Sequence, residues 1–254
     1  MRFISLGSGS KGNATLIESE QGAVLVDCGF SRKELIRRLT IADVDLSTIS
    51  ALLVTHEHAD HIGGVATVAR SLNLPVYMTH GTLNAAKDSA FEVRIIAAHE
   101  VLDLAGMSIE VVPVPHDARE PCQFIFKVND IVFGVLSDLG HISNWVEQRY
   151  ELCNHLFIES NYDDNALADG PYPEALKQRV ASSWGHLSNI QTSQFIKKLC
   201  QRENPLLRSI TLGHLSDKNN NPRWVFDLTE SAVAGTCPVN IASQESGTGW
   251  INLD

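Results

Sequence analysis

The chain has 254 residues, with 20 Lys+Arg against 30 Asp+Glu and a formal net charge of −10. With 44% hydrophobic and only 20% charged residues it can bury a sizeable core, which excludes a disordered chain, a fibrous repeat and a disulfide-stapled miniature fold. The acidic balance excludes a broad nucleic-acid-coating surface, since such a coat needs many Lys and Arg to displace counterions from phosphates, but it leaves room for an enzyme that handles one phosphate.

In chain order, short apolar, β-branched runs bounded by Gly, Asp and Asn predict strands over residues 3–6, 14–17, 23–26, 51–54, 76–78, 108–114, 123–128 and 131–136, with further strand-like runs at 156–158 and 210–212. Helical spacing predicts helices over 31–39, 62–72, 142–152, 173–181, 188–199 and 222–234. Strands in succession with interspersed helices predict an α/β (α+β) fold whose sheets carry helices on their outer faces. Neither an internal repeat nor a Pro/Ser-rich linker divides the chain, so one domain over residues 1–254 is expected.

The five cysteines, Cys28, Cys122, Cys153, Cys200 and Cys237, are scattered without a Cys-x-x-Cys pair, as suits a reducing compartment. Residues 1–12 hold too short an apolar run for a secretory segment, and no stretch reaches the roughly 18 apolar residues of a membrane span. The expectation is a soluble, cytoplasmic protein without membrane contact. Charge is uneven along the chain: segment 165–225 has eight basic and four acidic residues, whereas both flanking segments are acidic. Solvated helix faces would account for this, and so would a local grip on a phosphate.

The chemistry centres on His56-Glu57-His58-Ala59-Asp60-His61, directly after the strand at 51–54. An extended chain projects His56 and His58 to one side, while Asp60 and His61 fall where the chain turns toward a helix that Gly63-Gly64 would let approach closely. One loop can thus serve two adjacent metals, and imidazole with carboxylate suits zinc or a similar divalent ion. Further ligand types follow other strands: His116 in Val114-Pro115-His116-Asp117, Asp138 in Leu136-Ser137-Asp138-Leu139-Gly140, and His214 in Gly213-His214-Leu215-Ser216.

This ordered set, H-x-H-x-D-H, then His, Asp and His, resembles the metallo-β-lactamase superfamily, and Val26-Asp27-Cys28-Gly29 is similar to its early strand and turn. The resemblance covers essentially the whole chain. It implies an αββα sandwich with two divalent ions, Zn2+ or Mn2+, at one edge: one held by His56, His58 and His116, the other by Asp60, His61 and His214, with Asp138 bridging.

The superfamily hosts several reactions, so function must come from further residues. His186 opens a predicted helix and Glu159 ends the strand at 156–158; a histidine beside a carboxylate is suited to protonate a leaving oxygen. This arrangement is similar to nuclease-type members, including transfer-RNA 3′-processing enzymes, although the chain lacks their long Gly/Pro-rich arm. Gly185-His186-Leu187-Ser188-Asn189, Gly213-His214-Leu215-Ser216-Asp217-Lys218-Asn219-Asn220 and Gly7-Ser8-Gly9-Ser10-Lys11-Gly12-Asn13 resemble the WalJ/YycJ/VicX group of nuclease-like members, which implies 5′ to 3′ exonuclease action on double-stranded DNA. The expected mechanism has water acidified by two cations attack the phosphate, oriented by Asp60 or Asp138, while His186, supported by Glu159, protonates the departing sugar oxygen.

The Gly/Ser loop lacks the Lys and Ser/Thr of an ATP-binding loop, since Asn13-Ala14 stand there. Its amides either border the metal site and meet a substrate phosphate or simply turn the chain. Ser8, Lys11, Asn13, His141 and Asn189 are the expected substrate contacts, and Asn161 and Tyr162 follow Glu159 closely enough to face the site. The alternative activities are RNA processing, glyoxalase II-like thioester hydrolysis, or a regulatory protein without turnover. Segment 165–225 contains both His186 and His214, so its positive charge is expected to flank the scissile phosphate of a nucleic-acid partner, DNA before RNA.

Overall fold

A computed structural model describes residues 1–86 and 90–254. The first six strands are β1 (Arg2–Gly7), β2 (Ala14–Ser19), β3 (Gly22–Val26), β4 (Ile49–Leu53), β5 (Val76–Thr79) and β6 (Val93–Ile96). They form one sheet in sequence order, closed at the β1 edge by β14 (Ile251–Asn252). The second sheet contains β7 (Val101–Leu104), β8 (Met107–Pro113), β9 (Cys122–Val128), β10 (Ile131–Leu136), β11 (His155–Glu159), β12 (Ser209–Gly213) and β13 (Val239–Ile241), again in sequence order. Both sheets are mixed: β1 to β3 and β7 to β10 pair antiparallel, whereas β3 to β6 and β10 to β13 run parallel.

Strand alternation explains the layering. In β3, Val24 and Val26 enter the core between the sheets, while Ala23 and Leu25 face the opposite way. Between the sheets Phe3 stacks on Phe133 with ring centroids 4.4 Å apart, within a cluster that also holds Phe124, Phe126 and Phe157. The outer face of the first sheet packs against α1 (Arg32–Ile41) and α3 (Val65–Leu72) through Leu35, Leu39, Val65 and Val68. The outer face of the second packs against α5 (Asn144–Tyr150), α8 (Asn189–Cys200) and α9 (Pro222–Val233) through Val146, Tyr150, Phe195, Ile196 and Val233. The remaining helices are α2 (Ala59–Ile62), α4 (His80–Ala85), α6 (Asp164–Asp169) and α7 (Glu174–Val180). The expected α/β sandwich, two mixed sheets covered by helices, is therefore the fold.

Helix starts follow capping chemistry: Ser31 accepts the Glu34 amide at α1, and a reciprocal Ser188–Gln191 capping box opens α8. The helix expected over 62–72 is two helices, α2 and α3, separated by Gly63-Gly64. A Cβ on Gly64 would lie 1.9 Å from the Phe30 carbonyl oxygen, so the close approach expected of this pair is real and it interrupts the helix. The helix predicted over 188–199 is α8, and His186, expected to open it, lies on the loop just before it. Edge strands β6, β7, β13 and β14 were not predicted; each has four residues or fewer. Among the described residues, no helix is long and apolar enough to cross a membrane, and all five cysteines are free.

Candidate metal centre

Left-handed backbone follows several strands, and in three cases the residue belongs to the candidate site: Asp27 after β3 (φ 59°), Asp138 after β10 (φ 55°) and His214 after β12 (φ 53°). Such geometry strains a non-glycine residue and persists only where surrounding contacts enforce it. At Asp27 those contacts are explicit. Its carboxylate accepts the Thr55 amide and hydroxyl, each at 2.8 Å, and faces His61 Nδ1 at 2.8 Å. The loop after β4 is thereby fastened to the end of β3. Gly29 reinforces this, since a Cβ there would sit 1.9 Å from the Asp60 carbonyl oxygen.

From this base the loop presents His56, His58, Asp60 and His61, while the second sheet brings His116 from the end of β8, Asp138 from β10 and His214 from β12. Ligand atoms of His56, His58 and His116 lie within 4.8 Å of one another, as do those of Asp60, His61 and His214. Asp138 stands beside the second triad, its Oδ2 3.2 Å from His61 Nε2 and its Oδ1 3.5 Å from His214 Nε2, and its carboxylate also comes within 4.8 Å of a ring nitrogen of His56 in the first. Several of the imidazoles are fixed by their other nitrogen: Nδ1 of His56 meets the Thr55 hydroxyl at 2.9 Å, Nδ1 of His61 meets Asp27, and Nδ1 of His116 meets the Gly185 carbonyl at 3.0 Å. Fixing Nδ1 in this way leaves Nε2 to face the other ligand candidates, as His61 Nε2 faces Asp138 and His116 Nε2 lies 3.2 Å from His58 Nδ1.

Two observations show that the site fits cations. Nε2 of His56 and Nε2 of His214 are buried without a hydrogen-bond partner, which is costly for a polar nitrogen unless something else meets its lone pair. The electrostatics agree. Burial holds the imidazoles of His56 and His116 below the usual histidine range, so each keeps a free lone pair. Burial also works against a proton on His214, but Asp138 and Asp60 outweigh it and lift that imidazole to about 10. His61 is raised in the same way, against burial, by Asp138 and Asp27. Those protons stand where positive charge is demanded by clustered carboxylates, and a divalent ion answers the same demand.

Beside the triads, Glu159 ends β11 fully buried. Its Oε1 accepts the amides of Leu139 at 2.9 Å and Leu187 at 3.1 Å, and its Oε2 lies 3.0 Å from His186 Nδ1 and 3.6 Å from His214 Nδ1. Burial disfavours the charge on Glu159, yet His186 outweighs it and holds the carboxyl below the usual range. The His186 ring stacks on His214 with centroids 5.2 Å apart. It lines a cavity of about 330 Å³ shared with Asp60, Asp138, His214, Tyr172 and Arg179. Arg179 is ion-paired with Asp117, whose Oδ1 is 3.4 Å from His116 Nε2.

Residues 7–140 match the family described as the metallo-beta-lactamase superfamily. The chain belongs to the metallo-beta-lactamase superfamily. It is 32% identical over 228 residues to a Bacillus anthracis protein named exodeoxyribonuclease YycJ, covering 87% of this chain and 84% of that one. It is 33% identical over 227 residues to exodeoxyribonuclease WalJ of Streptococcus pneumoniae, covering 86% and 83%. The crystal structure of the metallo-beta-lactamase fold protein YhfI from Bacillus subtilis superposes with a TM-score of 0.76 at 16% identity, covering 98% of each chain, and so shares the fold. Membership of the superfamily, with these clusters able to bind metal ions, makes the chain a metal-dependent hydrolase.

The metallo-beta-lactamase scaffold treats the expected substrate contacts differently from the sequence reading. The Ser8 hydroxyl is buried, accepting the His214 amide at 2.8 Å, and does not line the cavity. Asn13 is also buried, with Nδ2 3.3 Å from Asp60 Oδ2 and Oδ1 accepting the Gly9 amide at 2.8 Å. The amides of Gly9, Lys11, Gly12 and Asn13 all bond within the protein, so they are not free for a phosphate; Ser10 is the loop residue that lines the cavity. Lys11 pairs with Asp217 at 2.7 Å. Asn189 is buried at the start of α8, accepting the Ser160 hydroxyl at 2.7 Å. His141 lies outside the metal cavity and lines an adjoining one. Asn161 does line the metal cavity, and its Nδ2 donates to the His214 carbonyl at 2.8 Å, whereas Tyr162 is buried.

The basic segment is also dispersed by the fold. Of its eight cations only Arg179 lines the cavity, while Lys198 and Arg202 pair with Glu147 and Glu151. Arg179, Tyr172 and Asp117 carried no distinguishing motif; Asp117 was signalled only by its position after His116.

Proposed function

We propose that the chain, acting as one domain over residues 1–254, is a two-metal phosphodiesterase that degrades DNA from its ends. The observation that carries this reading is the pairing of half-buried His186 with buried Glu159 at 3.0 Å, His186 lining the same cavity as the ligand candidates His58, Asp60, Asp138 and His214. His56, His58 and His116 would hold one ion, Asp60, His61 and His214 the second, with Asp138 facing both; Zn2+ and Mn2+ suit these donors. When bound, the ions would supply Lewis acidity, making water a nucleophile near neutral pH and offsetting phosphate charge.

The chain's own residues supply the rest. Asp60 orients the attacking water. Arg179, reached by exchanging Asp117 for substrate, grips a phosphate oxygen. With Nδ1 committed to Glu159, His186 offers Nε2 to the departing sugar oxygen and passes it a proton, its ring held in place by the Glu159 carboxylate. A thiolate leaving group needs no such acid, so the pair speaks against thioester hydrolysis and equally against a protein without turnover.

The relatives named exodeoxyribonucleases favour DNA over RNA, and 5′ to 3′ action on duplexes follows the WalJ/YycJ/VicX resemblance. Five free thiols fit a reducing cytoplasm. Incubation of the metal-loaded protein with end-labelled duplex DNA, single strands, transfer-RNA precursor and a thioester tests the proposal. Loss of duplex DNA from 5′ ends is expected; consumption of the thioester with every nucleic acid intact overturns it.

A further inference from the structure

Next to the metal cavity lies a second, shallow one of about 590 Å³, lined by Trp145, Trp184, His99, His141, Ser143 and residues 113–115. The wall between the two is built from shared turns. The turn that supplies Asp117 to the metal cavity supplies Pro115 to the other; the turn after Asp138 supplies His141; the approach to His186 supplies Trp184. Two bonds stitch these turns together: the Gly140 amide donates to the Pro115 carbonyl at 2.9 Å, and His141 Nδ1 meets the Ser183 carbonyl at 2.9 Å.

The lining is unusual for this protein. Although the net charge is −10, no carboxylate among the described residues lines the cavity. The indoles of Trp145 and Trp184 are 40% and 57% exposed, a large apolar area for water to cover. Trp145 is also held in place: His99 meets it edge-on at 4.7 Å and 86°, and Arg149, itself paired with Glu110, lies over it at 5.7 Å. A held indole at Trp145 and an exposed one at Trp184, in a lining free of carboxylates among the described residues and one turn from a phosphate-cleaving centre, match the π-face of an unpaired nucleobase, whose stacking is insensitive to sequence.

We propose that Trp145 and Trp184 form a stacking platform for an unpaired base adjoining the scissile phosphate, with His141 and His99 at its margin. This rests on the phosphodiesterase reading and adds a substrate requirement to it: the nucleic-acid end must fray for a base to reach the platform.

The test uses the full-length metal-loaded protein and phosphorothioate-linked oligonucleotides carrying 2-aminopurine, whose fluorescence falls on stacking. Quenching is expected with the probe at the terminal position and not in mid-strand. Trp145→Ala and Trp184→Ala each weaken binding about tenfold, the fold-change corresponding to ~1.4 kcal/mol, while the Phe variants keep the quenching. An abasic end weakens wild-type binding by a similar factor, a measurement that needs no variant to fold. Equal affinity for abasic and normal ends overturns the platform, as does unchanged quenching in both Ala variants. If light scattering shows a dimer that the Ala variants dissociate while quenching persists, the face is an interface between copies and the proposal fails. Quenching by a protein that hydrolyses no phosphodiester sinks the phosphodiesterase reading and leaves the platform standing.

Discussion

Glu159 Oε2 lies 3.0 Å from His186 Nδ1, and the other carboxylate oxygen is held by the Leu139 and Leu187 amides. The histidine is thereby oriented by a carboxylate that cannot turn away. Removal of the acid in His186→Ala is expected to lower kcat on DNA by about 10² to 10⁴-fold, the usual contribution of positioned proton transfer. Glu159→Gln, which keeps the shape but not the charge, should lose up to about 10⁴-fold in kcat at similar KM. A nitrophenyl phosphodiester, whose leaving group needs no proton, should be spared most of both losses. Equal losses on the two substrates would assign the pair a structural role instead.

Asp27 does not line the metal cavity, yet it orients His61 and Thr55 at 2.8 Å. Outer partners of metal-bound histidines typically contribute 10 to 100-fold in affinity. Asp27→Asn should therefore retain the fold while weakening metal binding by that factor in chelator competition. Unchanged affinity would mean that Asp27 serves only to hold the loop.

Asn189 accepts from Ser160 Oγ at 2.7 Å and donates to Asn220 Oδ1 at 2.9 Å, joining α8 to the loops after β11 and β12. Leaving these buried partners unmet in Asn189→Ala should cost about 1 to 3 kcal/mol, measurable by denaturant unfolding, with little change in KM for substrate. A selective rise in KM at unaltered stability would restore it as a substrate contact.

His155, at the start of β11, meets Ser209 Oγ at 2.8 Å, and burial followed by the Arg208 charge pushes its imidazole down to about 4. The unfolded chain, with histidine near 6.5, binds the proton first as pH falls, so the stability this group contributes is whole above about 6.5 and lost on the way to 4. One proton sets a limit of about 1.4 kcal/mol per pH unit. His155→Asn should show a shallower acid loss of unfolding free energy than wild type; parallel curves would refute the assignment.

The ligand types were legible because four of them crowd one loop after an apolar strand, and the others each follow a strand that alternation marks. The sandwich was legible for the same reason, since residues such as Val24 and Leu25 sort themselves to opposite faces. Polar residues near the motifs were harder. Ser8, Asn13 and Asn189 look like substrate contacts in one dimension, but a buried hydroxyl or amide must satisfy itself on backbone and side chains, and here it does. Arg179 was hidden for the opposite reason: it sits on a short amphipathic helix that only the tertiary fold lays against the cavity.

The ligand candidates divide between the sheets, with His56, His58, Asp60 and His61 from the first and His116, Asp138 and His214 from the second. During synthesis a ribosome must deliver His214 before the second triad can exist, so capture of a second ion would come late in the making of each molecule. Once captured, the ions would rivet the two halves of the sandwich across their open edge. Chelation would then release a mechanical tie as well as the chemistry, and a cell short of the metal would hold a looser protein that proteases could recognise.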